Sequence, residues 1–216
     1  MLLGIRAVPP FYKNGFVLGC KDTRQGVLID PGDEVDELLD VVAAERLTIG
    51  HILLTHAHVD HVTGVARAKA ALAAPVYLHP DDLFLYDNAV AQGAFFGLRV
   101  EAPPPIDLFY QSGQAPIRFG AYDVRVHHTP GHCPGGVCLQ VGKAGEFGKQ
   151  LFVGDTLFAG SIGRTDLPGG DLDTLIRSIT HVLFSFGDDA EVYPGHGPNT
   201  TIGHERRTNP FLIGKT

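Results

Sequence analysis

The chain has 216 residues, 44% of them hydrophobic, and a formal net charge of −7 at pH 7. That length and composition suit a globular protein with a sizeable core, and no apolar stretch approaches the roughly 20 residues needed to cross a bilayer. The acidic balance argues against a nucleic-acid backbone as the main partner, because such affinity comes from clustered Lys and Arg. Met1 to Phe11 has one basic residue and no apolar run of signal-peptide length. The three cysteines, Cys20, Cys133 and Cys138, are too few and odd in number for a disulfide framework. The expectation is a cytoplasmic protein that engages neither membrane nor nucleic acid, with residues 1–216 forming a single domain.

Short apolar runs bounded by turn residues, Phe16 to Leu18, Val27 to Ile29, Ile52 to Leu54 and Val76 to Leu78, predict strands in a covered sheet. After Asp30-Pro31-Gly32, Asp33 is a plausible N-cap, and Val35, Leu38, Leu39 and Val42 form one apolar helical stripe. A second helix is expected from near Asp60 through the alanine-rich stretch to Ala74, where Pro75 stops it. Asp81 to Gly97 reads as helical, its Phe84, Tyr86, Phe95 and Phe96 serving as helical core, a pocket wall or an oligomer contact, and Pro103-Pro104-Pro105 closes the segment. Strands return from Ile117, with alternating Tyr122, Val124 and Val126, then Val137 to Val141 and Leu151 to Val153. Asp171 to Leu183 predicts a capped helix, and Ala190 to Tyr193 a last short strand.

Thr55-His56-Ala57-His58-Val59-Asp60-His61 places three imidazoles and a carboxylate in six positions, between a strand and a helix. Alternation in the extended part sends His56 and His58 to the same side. Neutral imidazole and carboxylate suit Zn²⁺ and several other divalent metals, and two neighbouring metals need more ligands than one segment supplies. Three later loops each offer one Gly-flanked candidate: His132 after Thr129-Pro130-Gly131, Asp155 in Gly154-Asp155-Thr156, and His196 in Pro194-Gly195-His196-Gly197. Each of these three is weak alone, since Gly-Asp and Pro-Gly-His are ordinary turns. Their joint occurrence with the first cluster is what points to a metal centre.

The stretch 55–61 is similar to the signature of the metallo-β-lactamase superfamily, and His132, Asp155 and His196 stand in the order which that superfamily uses. The resemblance covers nearly the whole chain and implies an α/β fold, a four-layer αββα sandwich with the metal site at one edge. It further implies that His56, His58 and His132 hold one divalent ion and Asp60, His61 and His196 a second, with Asp155 bridging. Zinc is the first choice for these donors, with iron or manganese as alternatives. Within the superfamily, Gly160-Ser161-Ile162-Gly163-Arg164-Thr165-Asp166 and Glu205-Arg206-Arg207-Thr208-Asn209-Pro210-Phe211 resemble the small glyoxalase II type, hydroxyacylglutathione hydrolase. Longer glyoxalase II enzymes carry a C-terminal helical domain that grips glutathione, whereas about twenty residues follow His196 here.

The implied reaction is hydrolysis of a small-molecule thioester, a glutathione conjugate, by a hydroxide held between two metals and oriented by Asp60. A thiol of pKa near 8.5 can leave without a dedicated proton donor, whereas an amine leaves poorly unless protonated. Two rival readings use the same residues: a persulfide dioxygenase with one iron on His56, His132 and Asp155, and a lactone hydrolase. Arg164 is a candidate for a substrate carboxylate or for an internal pair with Asp166 or Asp171, and Arg206 and Arg207 read mainly as structural. Cys133, beside His132, reads as a small buried thiol, and His127 and His128 as strand-end or ligand-supporting residues.

Overall fold

The computed structural model describes residues 1–215. The chain divides into two compact units, Met1–Gln114 with Arg118–Tyr122, and Ala115–Ile117 with the chain from Asp123 onward. The apolar runs of the first unit become a six-stranded sheet of β1 (Leu2–Arg6), β2 (Gly15–Gly19), β3 (Gln25–Ile29), β4 (Thr48–Leu53), β5 (Val76–Leu78) and β6 (Leu108–Phe109), laid side by side in that order. The first three strands are antiparallel, while β3–β4, β4–β5 and β5–β6 are parallel. Parallel neighbours need a crossover. The helices α1 (Val35–Ala44), α2 (Val59–Val62), α3 (Val65–Leu72), α4 (Leu83–Asp87) and α5 (Ala89–Phe95) supply these. Val27, Leu28, Ile29, Ile52 and Leu53 are all buried, as a strand covered on both faces requires. The half-buried β1, which carries no clear alternation, is an addition to the expected strands.

Helix α1 buries Val35, Leu38 and Val42 as its stripe demands, but its N-cap is Glu34, not Asp33, and makes no side-chain capping bond. The Glu34 carboxylate is instead turned towards Lys13 and the Gly32 amide. The single helix expected from Asp60 to Ala74 is two helices. Gly64 separates them: its amide donates to Pro31 O at 3.0 Å, and a Cβ there would lie 2.3 Å from Gly32 O. The Asp81–Gly97 segment is likewise broken, into a 3₁₀ turn at Pro80–Asp82, then α4 and α5, with Asn88 between the last two. Of its aromatic residues only Tyr86 is core, its hydroxyl donating to Pro104 O at 2.8 Å, while Phe84, Phe95 and Phe96 are exposed.

The second sheet contains β7 (Ile117–Phe119), β8 (Tyr122–His128), β9 (Val137–Lys143) and β10 (Gln150–Gly154). A small hairpin of β11 (Leu157–Phe158) and β12 (Ser161–Ile162) follows, then β13 (Glu191–Pro194) and β14 (Thr200–Thr201). Its order is β14-β13-β10-β9-β8-β7, with β10 and β13 parallel. Helix α6 (Leu172–Arg177) starts at Asp171, whose carboxylate accepts from the Thr174 amide at 2.8 Å. It passes into a π segment and a 3₁₀ turn, so the expected Asp171–Leu183 helix is regular only in its first six residues. Strand β14 and helix α7 (Ile202–Thr208) extend the chain's order beyond the strand expected as last. Cys20, Cys133 and Cys138 are buried thiols. Among the described residues, no helix is long and apolar enough to cross a membrane.

Asp107 fastens the edge of the first sheet, accepting from Lys69 Nζ at 2.6 and 2.7 Å and from the Val76 amide at 2.8 Å. Burial pushes its carboxyl up, but the Lys69 ammonium and the Val76 amide outweigh burial and hold it below the usual carboxylate range. A depressed folded pKa contributes stability that is complete above the unfolded value of about 3.9 and is lost as pH falls through the folded value. Asp107→Asn should therefore lower stability at neutral pH and flatten the acid limb below about pH 4 in urea unfolding. An acid limb identical to that of the parent would remove Asp107 as its source.

Candidate metal centre

In the first unit, the parallel pairing of Ile29 with Leu53 brings the residues that follow β3 and β4 together at the carboxyl ends of the strands. Asp30, which follows β3, is fully buried and sits at φ 47°. Its Oδ1 accepts from the Thr55 amide at 2.6 Å, and its Oδ2 from the Thr55 hydroxyl at 2.6 Å and His61 Nδ1 at 3.0 Å. Because the Thr55 hydroxyl donates to Asp30, it can only accept from His56 Nδ1, 3.2 Å away. The network thus assigns the Nδ1–H tautomer to both His56 and His61 and makes Nε2 the lone-pair nitrogen of each ring. A carboxylate behind an imidazole in this way is the usual support of a metal-ligating histidine.

The expected ligands of this unit lie together. The rings of His56 and His58 have centroids 4.9 Å apart, those of His56 and His61 4.0 Å, and His61 Nε2 is 3.7 Å from Asp60 Oδ2. A 3.7 Å separation is too long for a hydrogen bond. Two donors about 2.1 Å from one ion at a near-tetrahedral angle stand roughly 3.4 Å apart, so the pair is spaced as co-ligands are. The main chain around His58 is bracketed from outside the motif. The Ala57 amide donates to Asp82 Oδ2 at 3.0 Å, the Val59 amide to Gln92 Oε1 at 3.2 Å, and Gln92 Nε2 donates to Ala57 O at 3.3 Å. A Cβ on Gly32 would lie 2.1 Å from Asp60 O, so only glycine lets that loop close on α2.

The second unit repeats the device. Gly154 ends β10 with φ 52°, and the Gly195 amide donates to Gly154 O at 2.8 Å, so the parallel pair β10–β13 presents Asp155 and His196 from adjacent strand ends. Asp155 Oδ2 lies 3.7 Å from His132 Nε2 and 3.6 Å from His196 Nε2, again the spacing of co-ligands and not of hydrogen bonds. His132 Nδ1 donates to Arg164 O at 2.7 Å, which makes Nε2 its lone-pair nitrogen as well. Nitrogen and carboxylate donors in these states fit a hard or borderline divalent ion.

Arg164 reaches this set through its peptide, not its side chain. The guanidinium is clamped by Asp166 through two bonds of 2.7 Å, and Arg164 in turn holds the Asp166 carboxyl down at about 2. Arg206 and Arg207 both pair with Asp188, at 2.9 and 3.2 Å. His127 bonds Gln140 at 2.9 Å and His128 bonds Pro134 O at 2.8 Å. The C-terminal motif contributes two buried residues, Glu205 and Asn209, whose part in the site the motif alone does not reveal. Glu205 accepts from the Thr200 hydroxyl, the Gly160 amide and Asn209 Nδ2, and Asn209 Nδ2 also donates to Ser161 O, pinning the β11–β12 turn beyond Asp155. The sequence reading passed over Asp30, although a carboxylate directly after a buried apolar strand and before Pro-Gly is a usable signal.

Gly163 is the tightest point: a Cβ there would lie 1.8 Å from Asp155 O. Gly163→Ala should cost about 1 to 3 kcal/mol in denaturant unfolding and reduce bound metal. Arg164→Ala should leave metal content at the parental level, because the carbonyl that holds His132 remains. Metal loss in Arg164→Ala with none in Gly163→Ala would reverse this assignment.

Residues 8–204 match the family model described as the metallo-beta-lactamase superfamily. Hydroxyacylglutathione hydrolase GloC of Haemophilus influenzae is 37% identical over 197 residues, which cover 90% of this chain and 91% of that protein. The crystal structure of BLEG-1 B3 metallo-beta-lactamase has a TM-score of 0.88 at 35% identity, covering 99% of this chain and 100% of that one. The crystal structure of TTHA1623 in a di-iron-bound form has a TM-score of 0.83 at 42% identity, covering 97% and 100%.

Proposed function

The chain belongs to the metallo-β-lactamase superfamily, a metallo-hydrolase family whose fold it shares, and from that premise we propose that it hydrolyses a glutathione-type thioester, a hydroxyacylglutathione. In this reading His56, His58 and His132 would hold one divalent ion and Asp60, His61 and His196 the other, and Asp155 would complete the donor set. Zinc is the proposed occupant, and iron is the competing one in view of the di-iron-bound relative. The observation that carries the reading is the recurring donor spacing, Asp60 against His61 in one unit and Asp155 against His132 and His196 in the other. Likeness to a hydroxyacylglutathione hydrolase over nine-tenths of the chain supports the substrate class.

Bound by these residues, divalent metal supplies two things, a water whose pKa falls from 15.7 towards about 7 and an electrophile for the carbonyl oxygen. The remaining work belongs to the side chains. Asp60 would accept a hydrogen bond from the attacking water through its other carboxylate oxygen, not the Oδ2 spaced as a co-ligand of His61, and so orient it. Asp30 fixes His61 directly and His56 through Thr55, so that the ligand nitrogens need no reorganisation as charge develops. The departing thiol has a pKa near 8.5 and leaves as thiolate without a proton donor. Cleavage of a β-lactam amide is the second reading, favoured by likeness to BLEG-1. Its nitrogen leaves poorly unless protonated, which places the thioester first.

Metal-quantified protein should be assayed in parallel for loss of S-lactoylglutathione, hydrolysis of a cephalosporin, and oxygen uptake with glutathione persulfide. The expected result is two metals per chain with rapid thioester loss and no oxygen uptake. Persulfide-dependent uptake with about one iron would replace the reading with a dioxygenase. His58→Ala and Asp60→Ala should each lose metal and more than about 100-fold in rate, beyond the 10- to 100-fold typical of ligand-supporting residues. Full activity in either variant would remove that residue from the centre.

A further inference from the structure

Against the main chain of Asp30 lies a charged pair that the proposed chemistry does not use. Lys13 and Glu34 are 1% and 2% exposed, and Lys13 Nζ meets Glu34 Oε1 at 2.5 Å. The same ammonium donates to Asp30 O, and the same carboxylate oxygen accepts from the Gly32 amide at 2.9 Å. Two glycines make the space: a Cβ on Gly15 would lie 2.1 Å from Glu34 Oε1, and one on Gly32 2.8 Å from Lys13 Cε. A buried ion pair is costly to desolvate, and an apolar pair of similar volume is often as stable or more so. Stability alone is therefore a poor reason for this pair.

Its contacts supply a better one. Asp30 has φ 47°, a left-handed conformation that a residue with a side chain rarely adopts and that persists only when its surroundings hold it. The pair grips the main chain on both sides of the strained residue's Pro31 link, at Asp30 O through Lys13 and at the Gly32 amide through Glu34. That conformation aims the Asp30 carboxylate at Thr55 and His61. We propose that Lys13 and Glu34 are positioning residues that hold Asp30 in its left-handed conformation, fix the rings of His56 and His61 through it, and so set the affinity for metal. The metal part of this inference rests on His56 and His61 being ligands, as proposed above.

The test uses the full chain and three proteins: the parent, Lys13→Met, and the double variant Lys13→Met with Glu34→Leu, which leaves no unpaired buried charge. One readout needs no metal. The Thr55 amide, bonded to Asp30 Oδ1, is followed by hydrogen exchange in metal-stripped protein against the amides of β10 as an internal standard. The other is zinc affinity by chelator competition. Both variants should show Thr55 exchange faster by about tenfold relative to β10 and zinc binding weaker by about tenfold, the lower end for ligand-supporting residues. The double variant should do so even where it recovers parental stability, and it decides the matter if Lys13→Met fails to fold. A folded double variant with parental Thr55 protection and parental zinc affinity would overturn the inference and leave the pair a structural filler. A parent that binds no zinc while its Thr55 amide is protected would overturn the ligand reading and the affinity claim with it. In that case faster Thr55 exchange in the variants would still mark the pair as the support of Asp30.

Discussion

Asp30 stands where the sheet ends and the first histidine cluster begins, and the order of that cluster depends on the bonds its carboxylate accepts. Parallel pairing of β3 and β4 delivers Asp30 beside Thr55. Three donors, the Thr55 amide, the Thr55 hydroxyl and His61 Nδ1, converge on its two oxygens. A buried carboxylate left short of donors would be costly, so the same contacts that satisfy Asp30 also dictate which nitrogen of His56 and His61 carries the proton. The choice of tautomer is thus a by-product of solvating a buried charge with protein groups.

The second cluster, His132, Asp155 and His196, is governed by steric closeness more than by charge. Gly154 and Gly163 allow the main chain to turn after β10 and to pass against the Asp155 carbonyl. Glu205 and Asn209, drawn from the last helix and the residue after it, tie down the β11–β12 turn. The turn is held by two bonds, from the Gly160 amide to Glu205 and from Asn209 to Ser161 O, which suits a loop whose peptide must hold His132.

Much of this was legible in the chain. The apolar runs at Val27–Ile29, Ile52–Leu54 and Leu151–Val153 announced strands, and the 55–61 cluster, with His132, Asp155 and His196, announced the donors that adjoin within each unit. Alternation placed His56 and His58 side by side, and the rings do adjoin. What escaped was decided by tertiary contact. The break at Gly64 is marked locally only by the low helix propensity of glycine, and what requires it is the close approach to Gly32. Phe95 is exposed because it lies opposite the face of α5 that packs inward through Ala89 and Gly93, and Phe96 caps the helix end with its ring against Phe11. Asp30, Glu205 and Asn209 carry no periodicity, and their roles come from partners that are mostly remote in sequence.

The bond from His132 to the carbonyl of residue 164 has a consequence for how such a centre changes over generations. Every amino acid brings a carbonyl, so nothing in that bond restricts which side chain occupies the position. The restriction falls one residue earlier, on Gly163, where a methyl group would collide with Asp155. Drift at 164 can therefore rework the outer face of the loop, including the clamp on Asp166, while the orientation of the imidazole is inherited through a residue that has no side chain at all.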